Sequence, residues 1–363
     1  VPNLHKQSSK HLLEFVMQSE LIDKIKGVIY GQAIGDALGL GAEFLTKNQV
    51  QQFYPFGLSN YDQIIQDGHR SRWEKGEWTD DTDQMLCIFN SILDKKALDI
   101  RDIAKNLHEW ATNGGRGIGN TIFAVLSSDN FLKEPHAAAN AIWVKSGKTL
   151  AANGGAMRTS ILGVWEYYDI QKVRENASNV CKITHADPRC VATCVAIGEA
   201  IAYLLQGESN VDVIYEKTMA DAVAIEEKSK EYFALAKFGS IEQLELNQKD
   251  AIGYTYKTMA VAFWALRQNS FEEAVVKVIN EGGDADTNGA VAGAVLGAKL
   301  GFSQIPKRWV EGLKNREALE DKIQRLINIM QKHEAANTPA SSENSEQSSP
   351  KISFWDNLKK IFN

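Results

Sequence analysis

The sequence predicts an all-α fold, built as one compact multi-helix domain. Three observations predict it. Apolar residues recur at intervals of three and four through most of the 363 residues, as in Ile22, Ile25, Ile29 and Ala33, and again in Met85, Leu86, Phe89 and Leu93. No convincing run alternates apolar and polar residues between hairpin turns. The stretches between the periodic segments carry helix caps and glycine turns, with no fixed-period repeat.

In chain order, residues 1–20 read as an N-terminal extension. The chain does not open on Met, and Met17 offers a native start, so residues 1–16 are expected to carry no function. Polar and charged residues stand there in place of the apolar run that a signal peptide needs. The domain proper is expected over 21–333. Its first helix, in "GVIYGQAIGDALGLGAEF", is thinned by Gly31, Gly35, Gly39 and Gly41, and Glu43 follows as it ends. Residues 44–76, polar but bearing Phe53, Tyr54 and Phe56, are expected to form a lid. Helical spacing returns over 99–111, 156–168, 187–205, 254–267, 270–280 and 316–332. Asp187 and Pro188 fit the cap and first turn of a long helix, where the missing proline N–H does no harm. "NGGRGIGN" (113–120) and "AANGGAMR" (151–158) read as glycine-bearing loops feeding helices. "GAVAGAVLGAKLGF" from Gly289 is too short to span a bilayer and contains Lys299; its Gly and Ala suit a buried helix approached closely by another backbone.

Residues 334–351 are rich in Ser, Asn, Glu and Pro, with too little apolar surface to offset the entropy of ordering them, and are expected to be a disordered linker. Residues 352–363 put Phe354, Trp355, Leu358, Ile361 and Phe362 on one helical face, with Lys359 and Lys360 away from it. That short amphipathic helix suits docking on the domain, a partner groove or a membrane surface.

Composition narrows the partners. A formal charge of -6 without a basic block argues against nucleic acid, whose affinity rests on clustered Lys and Arg. Cys87, Cys181, Cys190 and Cys194 lie in or beside helix-like runs, which fits a reduced, cytoplasmic chain better than a disulfide scaffold. Cys190 and Cys194, one turn apart and near His185, do not complete a zinc set of four.

The chemistry concentrates in "GEWTDDTDQM" (76–85), where Thr79, Asp80, Asp81, Thr82 and Asp83 precede an apolar run. A lone acidic pair there usually compensates the helix dipole. Here a second stretch, "NEGGDADTNGAVAGA", repeats the arrangement with Asp284, Asp286 and Thr287. Brought together, these carboxylates would repel and raise one another's pKa unless divalent cations lay between them. All-oxygen ligation selects Mg²⁺, Mn²⁺ or Ca²⁺, and adjacent Asp80 and Asp81 can point to two ions. Asp36, inside the first helix, reads as a structural acid bonded to a neighbouring helix end or loop, whereas Glu43 suits positioning water or bridging metals.

With these pieces the chain resembles the ADP-ribosylglycohydrolase family, which includes dinitrogenase reductase-activating glycohydrolases and ADP-ribosyl-arginine and ADP-ribosyl-serine hydrolases. The resemblance runs from about Ile22 to Leu313 and rests on six motifs in the family's order: "GVIYGQAIGDALGLGAEF", "WTDDTDQM", "GIGNT", "NGGAMR", "THADPR" and "GGDADTNGAVAGAVLGAKLG". It implies an all-α fold with two Mg²⁺ ions in a cleft, Mn²⁺ being a possible substitute. The ligands it implies are Thr79, Asp80, Asp81, Asp284, Asp286 and Thr287, with Glu43, Asp81 and Asp286 as the catalytic acids. Gly117 and Gly119 would border the distal ribose; Asn153, Gly154, Gly155 and Met157 would face the pyrophosphate, with His185 near the ligand. One departure stands out: several members carry Asp directly before "IGNT", where this chain has Gly117.

The reaction this implies is hydrolysis at C1″ of ADP-ribose on a modified protein, arginine being the expected acceptor, through an oxocarbenium-like centre. Glu43 or one of the aspartates takes the proton of the attacking water. The alternatives are ADP-ribosyl-serine, poly-ADP-ribose or a small ADP-ribosyl metabolite, or an immunity or adaptor protein that occludes an ADP-ribosyltransferase partner.

Overall fold

The structure, a computed structural model, describes residues 2–337, and side chains over 18–332. Among them are sixteen α-helices and no strand beyond one isolated bridge, Ala152 to Tyr254, so the all-α expectation holds. They are α1 (Pro2–Gly39), α2 (Lys47–Phe53), α3 (Asp80–Lys95), α4 (Ile100–Thr112), α5 (Asn120–Leu126), α6 (Pro135–Lys145), α7 (Ser160–Val164) and α8 (Ile170–Cys181). There follow α9 (Pro188–Leu205), α10 (Val211–Ile225), α11 (Ser229–Phe238), α12 (Thr255–Leu266), α13 (Phe271–Ile279), α14 (Ala285–Leu300), α15 (Lys307–Gly312) and α16 (Arg316–Asn337).

The centre of the molecule is an antiparallel seam between α1 and α14. Gly27, Gly31, Gly35 and Gly39 rise along one helix while Gly297, Gly293, Gly289 and Ala285 descend along the other. A Cβ at any of these α1 glycines would overlap the facing carbonyl oxygen, so the two backbones touch. The close approach expected of the Gly- and Ala-rich segment is thus met by the glycines of the first helix. This contact brings the C-terminal end of α1 to the N-terminal end of α14.

α9 is long and apolar enough by length and composition to cross a bilayer, yet it is mostly buried and packs on α7, α8, α10, α12 and α14. Asp187 caps it as expected, accepting from the Arg189 N–H at 2.9 Å.

Two expectations need correction. Residues 156–168 are not one helix: a 3-10 turn over Asn153–Arg158 leads to the five-residue α7, and Glu166 at φ 55° turns the chain away. Residues 44–76, where a lid was expected, are anchored to the domain at several points. Tyr54 is buried and donates to the Gly41 carbonyl at 2.7 Å, Asn280 holds both backbone groups of Leu58, and Trp309 Nε1 donates to Ser59 O. Finally, α16 continues to Asn337, four residues beyond the expected end, because Glu334, Ala335 and Ala336 favour helix and Pro339 lies ahead. The rest of the expected linker and the C-terminal amphipathic segment lie outside the described residues.

Candidate active site

Two helix N-termini and one helix C-terminus converge. Thr79 occupies the N-cap of α3, but its side chain does not cap the helix. Asp36, fully buried on α1, does so instead. It accepts from the Thr79 N–H at 2.9 Å, the Thr82 N–H at 3.0 Å and the Thr82 hydroxyl at 2.6 Å. Asp36 is therefore the structural acid it was expected to be, and Asp80 and Asp81 are left to face elsewhere.

α14 opens similarly. Asp284 stands at the N-cap without its side chain capping the helix. Before it, Gly282 and Gly283 adopt φ of 73° and 69°, and a Cβ on them would overlap the carbonyls of Leu45 and Leu246. Glu43 ends the 3-10 turn that follows α1. Its loop is tied to the same glycine turn: the Phe44 N–H donates to Gly283 O at 2.6 Å, and the Gly283 N–H to Leu45 O at 2.8 Å.

Glu43, Asp284 and Asp286 each present a carboxylate oxygen within 4.8 Å of the others. Asp80 and Asp81 stand close enough for the charge of Asp284 to act on both, and the Thr287 hydroxyl partly offsets this at Asp81. Burial first, and like charge second, hold Asp80, Asp81 and Asp286 well above the usual carboxylate range. Desolvation carries Asp284 up to about 6 and Asp36 up to about 7.

The residues fit a divalent cation. Asp81 Oδ1 is buried with no hydrogen-bond partner, and Oδ2 receives a long 3.3 Å bond from Thr79 Oγ1. Leaving such an oxygen unmade costs on the order of 1–3 kcal/mol, more for a charged group, and a hard cation would remove that cost. The donors are carboxylates and hydroxyls, the set that hard cations take. Among the described residues, the group of His, Cys and acids close enough to hold an ion is this acidic trio.

The remaining predicted site residues are distributed unevenly. Asn153 reaches the acids directly, donating from Nδ2 to Asp284 Oδ2 at 2.6 Å and to Thr258 Oγ1 at 3.0 Å. Gly154, Gly155 and Met157 are buried in the 3-10 turn that leads into α7. A Cβ on Gly154 would lie 2.9 Å from the His185 ring, and one on Gly155 would lie 3.1 Å from Cys181 Sγ, so both glycines are closely packed. His185 is buried beneath this turn, with Nδ1 2.8 Å from Thr184 Oγ1 and Nε2 unpartnered. Burial and then the Arg158 guanidinium push its pKa down to about 3. Gly119 caps α5 and faces open space. Gly117, at φ 84°, lies against Asp80 so closely that a side chain would overlap Oδ1. In this backbone conformation glycine is the residue that position 117 accommodates without displacing Asp80.

Sequence reasoning passed over one group of residues. His69 Nε2 lies 2.6 Å from Glu43 Oε2, and buried Arg70 donates to the carbonyls of Glu43 and Gly41 at 2.5 and 2.9 Å. The signal available was the crowding of His69, Arg70, Arg72 and Trp73 just before "WTDD".

Residues 17–336 match the model of the ADP-ribosylglycohydrolase family. The chain is 26% identical over 314 residues to the ADP-ribosylarginine hydrolase Tri1 of Serratia proteamaculans, covering 86% of this chain and 81% of that one. It is 26% identical over 309 residues to the ADP-ribosyl-[dinitrogen reductase] glycohydrolase of Rhodospirillum rubrum, covering 85% and 95%. Among solved structures it is similar to one titled "ADP-ribosylglycohydrolase-related protein complex", with a TM-score of 0.63 and 25% identity, covering 86% of this chain and 99% of that one.

Proposed function

This chain belongs to the ADP-ribosylglycohydrolase family, hydrolases of glycosidic ADP-ribose bonds, and from that membership we propose that it removes ADP-ribose from modified protein side chains, with arginine as acceptor and Mg²⁺ or Mn²⁺ as cofactor. The observation that carries the cation requirement is the buried, unpartnered Asp81 Oδ1 among carboxylates that raise one another. Arginine is supported by the relative named an ADP-ribosylarginine hydrolase. The four free, buried cysteines suit a reducing cytoplasm.

In this reading Thr79, Asp80, Asp81, Asp284, Asp286 and Thr287 hold two cations. Bound there, divalent cations would polarise the ribose hydroxyls and lower the pKa of a water. Water oxygen adds to C1″ as the bond to the acceptor nitrogen breaks, and its proton passes to Glu43 or to Asp81 or Asp286. Asn153 keeps Asp284 turned into the cluster through its 2.6 Å hydrogen bond. Gly117 and Gly119 on one side, and the turn of Gly154, Gly155 and Met157 backed by His185 on the other, frame the ADP-ribose.

Release of free ADP-ribose from arginine-linked and serine-linked proteins, in Mg²⁺ and after chelation, tests the proposal. The arginine-linked substrate should be cleaved at least about tenfold faster, a loss of roughly 1.4 kcal/mol for the wrong acceptor, and chelation should abolish both. Faster release from serine would overturn the acceptor, and release that survives chelation would overturn the cation requirement.

A further inference from the structure

We propose that His69 is the positioning residue for Glu43, holding its carboxylate beside Asp284 and Asp286 in a tautomer fixed by Arg72. The proposal deepens the reading above and rests on it. His69 Nε2 stands 2.6 Å from Glu43 Oε2, while Nδ1 stands 2.5 Å from Arg72 Nη2. A guanidinium offers only N–H donors. Nδ1 must therefore present its lone pair to Arg72, which leaves the ring proton on Nε2, where it donates to Glu43. The need for such a donor is electrostatic: like charge pushes a carboxylate away from two others, and a hydrogen bond on one oxygen resists that push.

The surrounding segment is built to hold the imidazole. The His69 N–H donates to Asp67 Oδ1 at 3.0 Å, and Arg72 Nε returns to His69 O at 3.0 Å. Phe44 and Trp73 flank the ring at centroid distances of 5.3 and 5.7 Å. Arg70 grips the backbone of Glu43 from the same turn, so side chain and main chain of the acid are held by neighbouring residues. The clamp also reaches the opposite side of the site. Arg116 donates to the Arg72 carbonyl and to Glu77, and its next neighbour, Gly117, lies against Asp80.

The test compares wild type, His69→Ala and His69→Gln by calorimetric titration with Mn²⁺ and by ADP-ribose release. His69→Ala should weaken Mn²⁺ binding and lower kcat, each by about 10–100-fold, with KM changed less than about threefold. His69→Gln can place an amide N–H where Nε2–H stands and should restore both to within about threefold of wild type. In a Glu43→Gln background, His69→Ala should change nothing further, because the group it positions is already altered. If wild type binds Mn²⁺ and His69→Ala binds it equally, or if Gln fails to restore what Ala removes, the positioning role is overturned while the cation site stands. A wild type that binds no Mn²⁺ overturns the cation site, and this proposal with it.

Discussion

Gly117 and Asp80 illustrate how a single atom decides the chemistry available to this site. At φ 84° the backbone of residue 117 is in the left-handed region, and the space a Cβ would fill is taken by Asp80 Oδ1. Gly117→Ala should therefore carry about 1–2 kcal/mol of backbone strain together with displacement of a proposed ligand. Thermal unfolding should show a midpoint lowered by a few degrees, and initial rates should fall well beyond what the stability loss accounts for. An alanine variant matching wild type in both would show that the Asp80 carboxylate need not stay where it is. The acids of the site were legible in the sequence because their chemistry travels with the residue: clustered Asp and Thr before two apolar helices need a reason wherever they occur. His69 was not legible. It meets Glu43 from 26 residues away, out of a segment with no periodicity, and its role exists only once the chain has folded. Asn153 was flagged for a different duty, since nothing in "NGGAMR" says that its amide turns to Asp284.

At the scale of elements, the α1–α14 seam does for the site what no single ligand does. It sets the end of one helix beside the start of the other, with glycine facing carbonyl at four successive turns. Gly35→Ala would drive a methyl into the Gly289 carbonyl with backbone on both sides and no side chain to yield. Overpacking of this kind costs about 1–3 kcal/mol or more. Chemical denaturation should show that loss, with cation affinity falling in parallel because Glu43 and Asp284 are pushed apart. Unchanged stability would mean that the helices separate without cost. Spacing of three and four made most helices readable, and the Gly and Ala alternation pointed to a tight helix contact without naming its partner. Periodicity failed at 156–168, where buried Met157 and Ile161 keep helical spacing but the first turn is 3-10 and the backbone leaves helical geometry at Trp165 and Glu166. The order of 44–76 comes from distant anchors, Asn280 and Trp309, that no local pattern announces.

The whole molecule carries an electrostatic cost at its centre. Asp80, Asp81, Asp284 and Asp286 all have pKa values raised in the folded chain, Asp284 to about 6. A carboxyl whose folded pKa lies above its unfolded value contributes stability that is fully present below the unfolded pKa and is lost as pH rises through the folded one. Without cations, then, this cluster weighs against folding more at about pH 8 than at about pH 5.5. Cation binding uses the deprotonated acids, so it should offset that burden most where the burden is largest. The most direct measurement is the thermal midpoint of wild type and Asp286→Asn, chelated and Mn²⁺-loaded, at these two pH values. The account predicts that Mn²⁺ raises the wild-type midpoint at both, with the larger increment at the higher pH. It predicts too that chelated Asp286→Asn is more stable than chelated wild type at the higher pH, and that its Mn²⁺ increment is lost. A wild-type increment that is absent, or equal at the two pH values and retained in Asp286→Asn, would contradict the claim that these carboxylates form a cation site.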